Sequence, residues 1–379
     1  MKLHFGSTLA TRVAPALLVL GLLVACSSGP TRPKPAELAA NPGLLGVRLA
    51  WTAKVGAIDF PLDVKVNAKT VTLASSEGVL AAFDAASGAE LWRSSIGAQI
   101  AAGVGSDGRF SAVVTRANDL LVLDGGREAW RQKLTAPSFT SPLVAGGRVF
   151  LLAADRSVSA FDAGSGRKLW SQQRPGESLV LRQAGVLLAV GDTLVAGMGG
   201  RLVGLNPGNG SIRWEAPIAT PRGTNDIERM VDLVSRVGRD GSIVCARAFQ
   251  AAVGCVDTGR GNLQWSKPAI GSVGVQTDEK FVFGAESDGK VIAWRRGDGE
   301  RAWVSERLLY RNLSAPLVVG RSVVVGDEGG LVHWLSRDDG SPLTRMATDG
   351  SALAAGPVLA DGTLVVVTRN GGIFGFKPE

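Results

Sequence analysis

The chain is expected to be all-β: an eight-bladed β-propeller with Trp-bearing repeats, its ring closed by the N-terminal strand in the last blade. Three observations lead there. One phrase recurs at a near-constant period: an apolar residue and Asp, then Gly four residues after the Asp, then Trp four after the Gly. Short runs of alternating hydrophobicity, with strand period, flank each copy. The final copy is broken off at the C-terminus, and its missing half stands at the N-terminus.

Phe161-Asp162…Gly166…Trp170 is the model copy. Phe83-Asp84…Gly88…Trp92, Leu205-Asn206…Gly210…Trp214 and Val256-Asp257…Gly261…Trp265 keep its spacing. Trp294-Arg295…Gly299…Trp303 lacks the Asp, and Leu335-Ser336…Gly340…Thr344 lacks both Asp and Trp. Leu123-Asp124…Trp130 is two residues short. Ile373-Phe374-Gly375-Phe376-Lys377 opens an eighth copy, and Arg48-Leu49-Ala50-Trp51 supplies its end. Pairing these two segments leaves no open sheet edge between first and last blade.

Each feature of the phrase has a local reason. Ser157-Val158-Ser159-Ala160-Phe161 alternates as a half-buried strand does. The Asp accepts hydrogen bonds from backbone N–H groups of the following turn, and the Gly takes a position with φ > 0. Upstream, Ala145-Gly146-Gly147-Arg148 is a hairpin signal between two apolar runs. Four short antiparallel strands in about 40 residues make one blade. One Trp per blade, at positions 51, 92, 130, 170, 214, 265 and 303, is read as packing between neighbouring blades rather than as a ligand platform.

Residues 1–25 read as a leader outside the fold. Lys2 and Arg12 form a basic start, and the apolar run from Ala14 to Val24 is too short for a membrane span. It ends in Leu23-Val24-Ala25-Cys26, which resembles a bacterial lipobox, with Cys26 the acylated residue; an ordinary secretory leader is the plainer alternative. Ser27 rather than Asp follows the Cys, as in lipoproteins sorted to the outer membrane. Several acyl chains on one Cys anchor stably where one does not. Residues 26–43, with Pro30, Pro33, Pro35 and Pro42, read as acylated Cys and flexible tether, and residues 44–379 as the propeller.

The formal net charge is +7, of which Lys2 and Arg12 contribute two, and no basic run supports nucleic-acid binding. Cys245 and Cys255 flank Phe249-Gln250 in an expected hairpin. In an oxidising compartment a cross-strand disulfide is the reading, with two buried thiols as the alternative. Two cysteines without a companion His do not make a metal site.

Little in the chain suggests catalysis, and no enzyme activity, cofactor or metal is expected. His333 is the one His after the leader, and its alternating strand points to a structural role. No Gly-rich phosphate loop follows a strand and opens a helix. The repeat resembles that of the pyrroloquinoline-quinone dehydrogenases, which are also eight-bladed propellers. Those enzymes hold Ca²⁺ and commonly an adjacent Cys pair, which this chain lacks. Fold likeness alone does not carry activity. A periplasmic quinoprotein is therefore kept as the alternative reading, beside a holding chaperone for unfolded barrel proteins.

Function in a repeat ring belongs where the period is broken. Two consecutive excursions follow Trp170 and Trp214. The first holds Leu179-Val180-Leu181-Arg182; the second holds Ile227-Glu228-Arg229-Met230-Val231-Asp232. Both leave the Trp strand, so they are expected side by side on one face. Aliphatics with a charged surround have the makeup of a protein-binding patch.

From the lipobox through the repeats to Phe374-Gly375-Phe376, the chain resembles the BamB family. These are propeller lipoproteins of the outer-membrane β-barrel assembly machinery, the BAM complex. Leu179-Val180-Leu181-Arg182 resembles the Leu-x-Leu-Arg loop with which that family holds the POTRA domains of BamA. The stretch from Ile227 to Asp232 resembles its acidic second loop, and Gly326-Asp327-Glu328-Gly329-Gly330-Leu331-Val332-His333-Trp334 a segment of its penultimate blade. Val234 stands where the second loop can carry a further Asp, which puts one polar contact in question. The resemblance implies a non-catalytic scaffold, lipid-anchored at the periplasmic face of the outer membrane, that promotes insertion of β-barrel proteins. Leu179, Leu181, Arg182, Arg229 and Asp232 are the expected partner-binding residues.

Overall fold

Among the described residues there is no helix, and thirty-two strands pair into eight antiparallel sheets of four. The structure is a computed structural model and describes residues 1–2, 33–173, 180–220 and 231–379. Blades 1 to 7 are continuous in sequence, spanning 65–95, 100–133, 143–173, 187–217, 233–268, 275–305 and 317–347. Blade 8 is composite. Its three inner strands are Val358–Ala360, Thr363–Val367 and Gly372–Pro378, and its outer strand is Val47–Lys54 from the other end of the chain. Trp51 is registered opposite Gly375, so the split copy closes as expected. Ala36–Glu379 is one compact unit.

The Asp–Gly–Trp phrase is legible in the geometry. Asp162 Oδ1 accepts the Ser165 backbone N–H and hydroxyl, both at 2.8 Å. These bonds hold its carboxyl below the usual carboxylate value. Gly166 has φ +73°, and a methyl group there would fall 2.7 Å from the Trp130 ring of the preceding blade. The same Trp donates its indole N–H to the Ala163 carbonyl at 2.8 Å. Trp51, Trp170, Trp265 and Trp303 repeat this bond to Ala85, Pro207, Arg296 and Arg337. Each indole thus lies on the following blade's turn and ties to its backbone, so the Gly is required twice, for φ and for the ring above it.

The worn seventh copy now has a reason. A Trp at position 344 would need a turn of blade 8 to lie on, and that turn does not exist because the chain's two ends meet there. Thr344 fills the place, and Trp334 stands opposite it on the neighbouring strand. Trp334 meets Phe376 of blade 8 edge-on, ring centroids 5.8 Å apart. The aromatic contact across the seam is kept, delivered from one strand further in.

The upstream hairpin also forms as read. Ala145 pairs with Arg148, and Gly146 and Gly147 take φ +58° and +69°, the mirror-image turn that suits strand twist. Cys245 and Cys255 face each other on adjacent strands of blade 5, fully buried, with Cα atoms 4.0 Å apart and sulfurs at bonding distance.

The tether expected over 26–43 is corrected in its second half. Residues 36–44 are held against the ring. Ala36 N–H donates to Leu309 O at 2.9 Å, and Leu44 N–H to Leu343 O at 2.8 Å. Between them Asn41 Nδ2 donates to Arg345 O, and Arg311 Nη1 donates to Ala36 O, each at 3.0 Å. Leu38 packs on the cluster of Leu308, Leu313, Val325 and Leu335. A segment with unpaired backbone groups beside a blade finds partners for them, whatever its proline content.

Candidate functional site: the face of the enlarged connections

Connections from each outer strand to the next blade's inner strand emerge on one face. Leu62, Ala184, Ser272, Ser314 and Ala354, each just ahead of its blade, line a single funnel there. The two enlarged connections belong to this set, and they touch. Asp232 Oδ2 accepts the Leu181 backbone N–H at 2.8 Å. The side-by-side placement expected for consecutive excursions is what the geometry gives.

The expected binding residues are not all alike in this setting. Leu181 is partly buried and lines a small cavity with Phe139, Leu152 and Met198. Arg182 is exposed, its guanidinium 5.7 Å from the Phe139 ring centre, within cation–π range. Asp232 is partly buried and turned inward: one oxygen holds Leu181, and the other lies 3.8 Å from Arg156 Nη2. Val234 is a core residue, 2% exposed, on the inner strand Leu233–Asp240. Cys26, Leu179 and Arg229 lie outside the described residues.

Phe139 and Arg156 were missed in the sequence. Both belong to blade 3 and its lead-in, which keep the ordinary period. Their positions in the repeat would have marked them, since Phe139 precedes its blade much as Leu181 precedes the next.

His333 is 4% exposed, with Nε2 2.9 Å from Asp327 Oδ2. Asp327 also takes Arg311 Nε at 2.7 Å and the N–H groups of Gly329 and Leu331 at 3.0 and 2.9 Å. Burial raises the Asp327 carboxyl, but these bonds, that from His333 foremost, more than offset it and hold the pKa below 3.8. An ionised carboxylate only accepts, so His333 donates from Nε2. This is a satisfied core cluster, closed on itself.

Fold and face define a class: a Trp-repeat propeller whose departures from the period converge on one connection face. The family profile described as outer membrane protein assembly factor BamB matches residues 76–305. A curated protein of that name from Burkholderia pseudomallei is 37% identical over 374 residues, covering 98% of each chain. The chain belongs to the BamB family. Its structure is similar to that of BamB from Moraxella catarrhalis, with a TM-score of 0.79 at 22% identity, covering 87% of this chain and 99% of that one. A quinohemoprotein alcohol dehydrogenase from Comamonas testosteroni shares the fold, with a TM-score of 0.67 at 14% identity over 91% of this chain and 79% of that one.

Proposed function

We propose that this chain is a scaffold of outer-membrane β-barrel assembly, as the name of its relatives says of them. It docks on the POTRA domains of BamA with the face that carries the two enlarged connections. Membership of the BamB family across 98% of the chain supports the assembly role. The observation that carries the docking face is the Leu181–Asp232 bond, which joins the two connections into one surface. In this reading Leu179 and Leu181 are the apolar anchors, Arg182 and Arg229 the charged surround, and Asp232 the residue that holds the Leu181 segment in place. Apolar anchors with charged neighbours suit a partner recognised by a packed centre and an oriented rim.

In the same reading Cys26 carries the lipid that keeps the protein at the periplasmic face of the outer membrane. Acylation there leaves only nine residues, 27–35, between the lipid and the stretch 36–44 that is bound to the ring.

The test is co-purification from solubilised membranes. Leu181→Ala with Arg182→Ala is expected to abolish recovery of BamA while leaving the melting transition in place. Full recovery of BamA by the folded double variant overturns the docking face. Recovery of the wild-type protein without any barrel-assembly component overturns the role itself.

A further inference from the structure

The docking face has a hole at its centre, and one side chain spans it. Arg236 starts on the inner strand Leu233–Asp240 of blade 5 and ends at blade 8, three blades further round. Its Nη1 donates to the Pro357 carbonyl. A methyl group on Gly356 would fall 3.2 Å from that nitrogen, so the approach is close. Arg236 therefore crosses the ring axis. Around it opens a cavity of about 260 Å³, walled by the lead-ins of several blades.

A guanidinium has five N–H donors in a planar fork. Among the described residues, the Pro357 carbonyl is the only hydrogen-bond acceptor this side chain meets. None of its nitrogens is sealed away from the cavity without a bond. Burial pulls its pKa down, and Asp63 alone works against that.

The local charge is unbalanced. Asp63 is already paired with Lys65 at 2.5 Å. Asp327, also on the wall, is taken up by Arg311 and His333. What is left over is positive: Arg236 at the axis and the exposed Arg369 at the rim. The wall also begins directly after Arg182, with Gln183 and Ala184. A protein seated on Leu181 and Arg182 lies over the mouth.

We propose that the ring axis is a carboxylate socket, in which Arg236 receives an Asp or Glu side chain from a loop of the protein docked on this face. The proposal rests on the docking reading above for its partner. Its physical basis is separate: a forked donor with open N–H groups, in a cavity of suitable size, with no internal anion left to fill it among the described residues. Arg–carboxylate pairing in such a setting is short, directional and strong relative to a neutral bond.

The experiment has two arms on the purified, intact protein and its Arg236→Met and Arg369→Glu variants. One arm measures affinity for the POTRA array of BamA at low and high salt. The other measures binding of an oligoglutamate peptide. The expected result is an affinity loss of about tenfold or more for Arg236→Met, a flatter salt dependence, and a smaller loss for Arg369→Glu. Oligoglutamate binding should vanish with Arg236→Met. Circular dichroism melts establish that each variant is folded. Arg369 is exposed and makes no ion pair among the described residues, so its variant keeps the test decisive if Arg236→Met does not fold. Folded variants that match the wild type in both arms overturn the socket while leaving the docking face intact. Wild-type protein that ignores BamA yet binds oligoglutamate through Arg236 supports the socket and removes the docking reading.

Discussion

The Asp232 carboxylate holds the Leu181 backbone N–H at 2.8 Å, across 51 residues of sequence. One enlarged connection is thereby the brace of the other. Asp232, expected from the sequence as a partner contact, is seen bracing the segment that bears Leu181 and Arg182.

Removing the brace should loosen the loop without unfolding the ring. Asp232→Ala deletes a hydrogen bond to a charged acceptor, worth about 1.5–3 kcal/mol. Amide exchange in the segment around Leu181 is expected to quicken roughly tenfold or more, while the blade strands keep their protection. Asp232→Asn retains an acceptor and should fall between. Equal exchange in all three proteins would remove the bracing role.

The glycine of each repeat is expected to be dear to stability in proportion to the indole above it. Gly166→Ala meets both the left-handed backbone and the Trp130 ring, and should cost about 2–4 kcal/mol. Gly146→Ala has φ +58° but nothing within 4 Å of the new methyl, so only the backbone cost of about 1–2 kcal/mol applies. Denaturant midpoints of the two variants give the comparison. Similar losses would mean the Trp contact contributes nothing.

Cys245 and Cys255 close a loop with a sequence separation of 10. Loop-closure entropy of that size corresponds to about 2–3 kcal/mol. Protein purified under oxidising conditions should take up no thiol reagent on denaturation, and reduction should lower its unfolding midpoint accordingly. Two titrated thiols in the oxidised, unfolded protein would contradict the pairing.

Acid should act through Asp327. Its folded pKa is held below 3.8 chiefly by the bonds from His333, the Leu331 N–H and Arg311, against the upward push of burial. A lowered folded pKa means the stabilisation is fully present above the ordinary carboxylate value. It is lost as pH falls from that value through the lowered one. The wild-type stability curve should therefore bend down on the acid side of 3.8, and Asp327→Asn should start less stable with a shallower acid limb. Parallel acid limbs would assign the acid response elsewhere.

Blade number, strand order and ring closure were open to sequence reading because the Asp–Gly–Trp phrase records a contact between neighbouring blades, repeated in register. The pair of enlarged connections was legible for the same reason, as a departure from that period. Asp232 was harder, because which way a carboxylate turns depends on an N–H far along the chain. Arg236 was invisible: it sits where strand pairing is interrupted between Val234 and Gly238, which nothing in the repeat phrase marks, and its meaning comes from reaching a carbonyl 121 residues on. The bound stretch 36–44 escaped because its ties run largely through backbone groups, which leave no signature in side-chain composition.

The composite eighth blade makes completion of the chain a condition of having a ring at all. Val47–Lys54 is among the first stretches of the fold to be synthesised, and its hydrogen-bonding partner, Gly372–Pro378, the last. A polypeptide released or cut short of its final strand leaves Trp51 without Gly375 opposite it, and blade 8 without its junction. Such a product exposes unpaired strand edges, which are templates for unwanted pairing with other chains. One pairing between strands more than 300 residues apart thus joins the first and last blades of the ring.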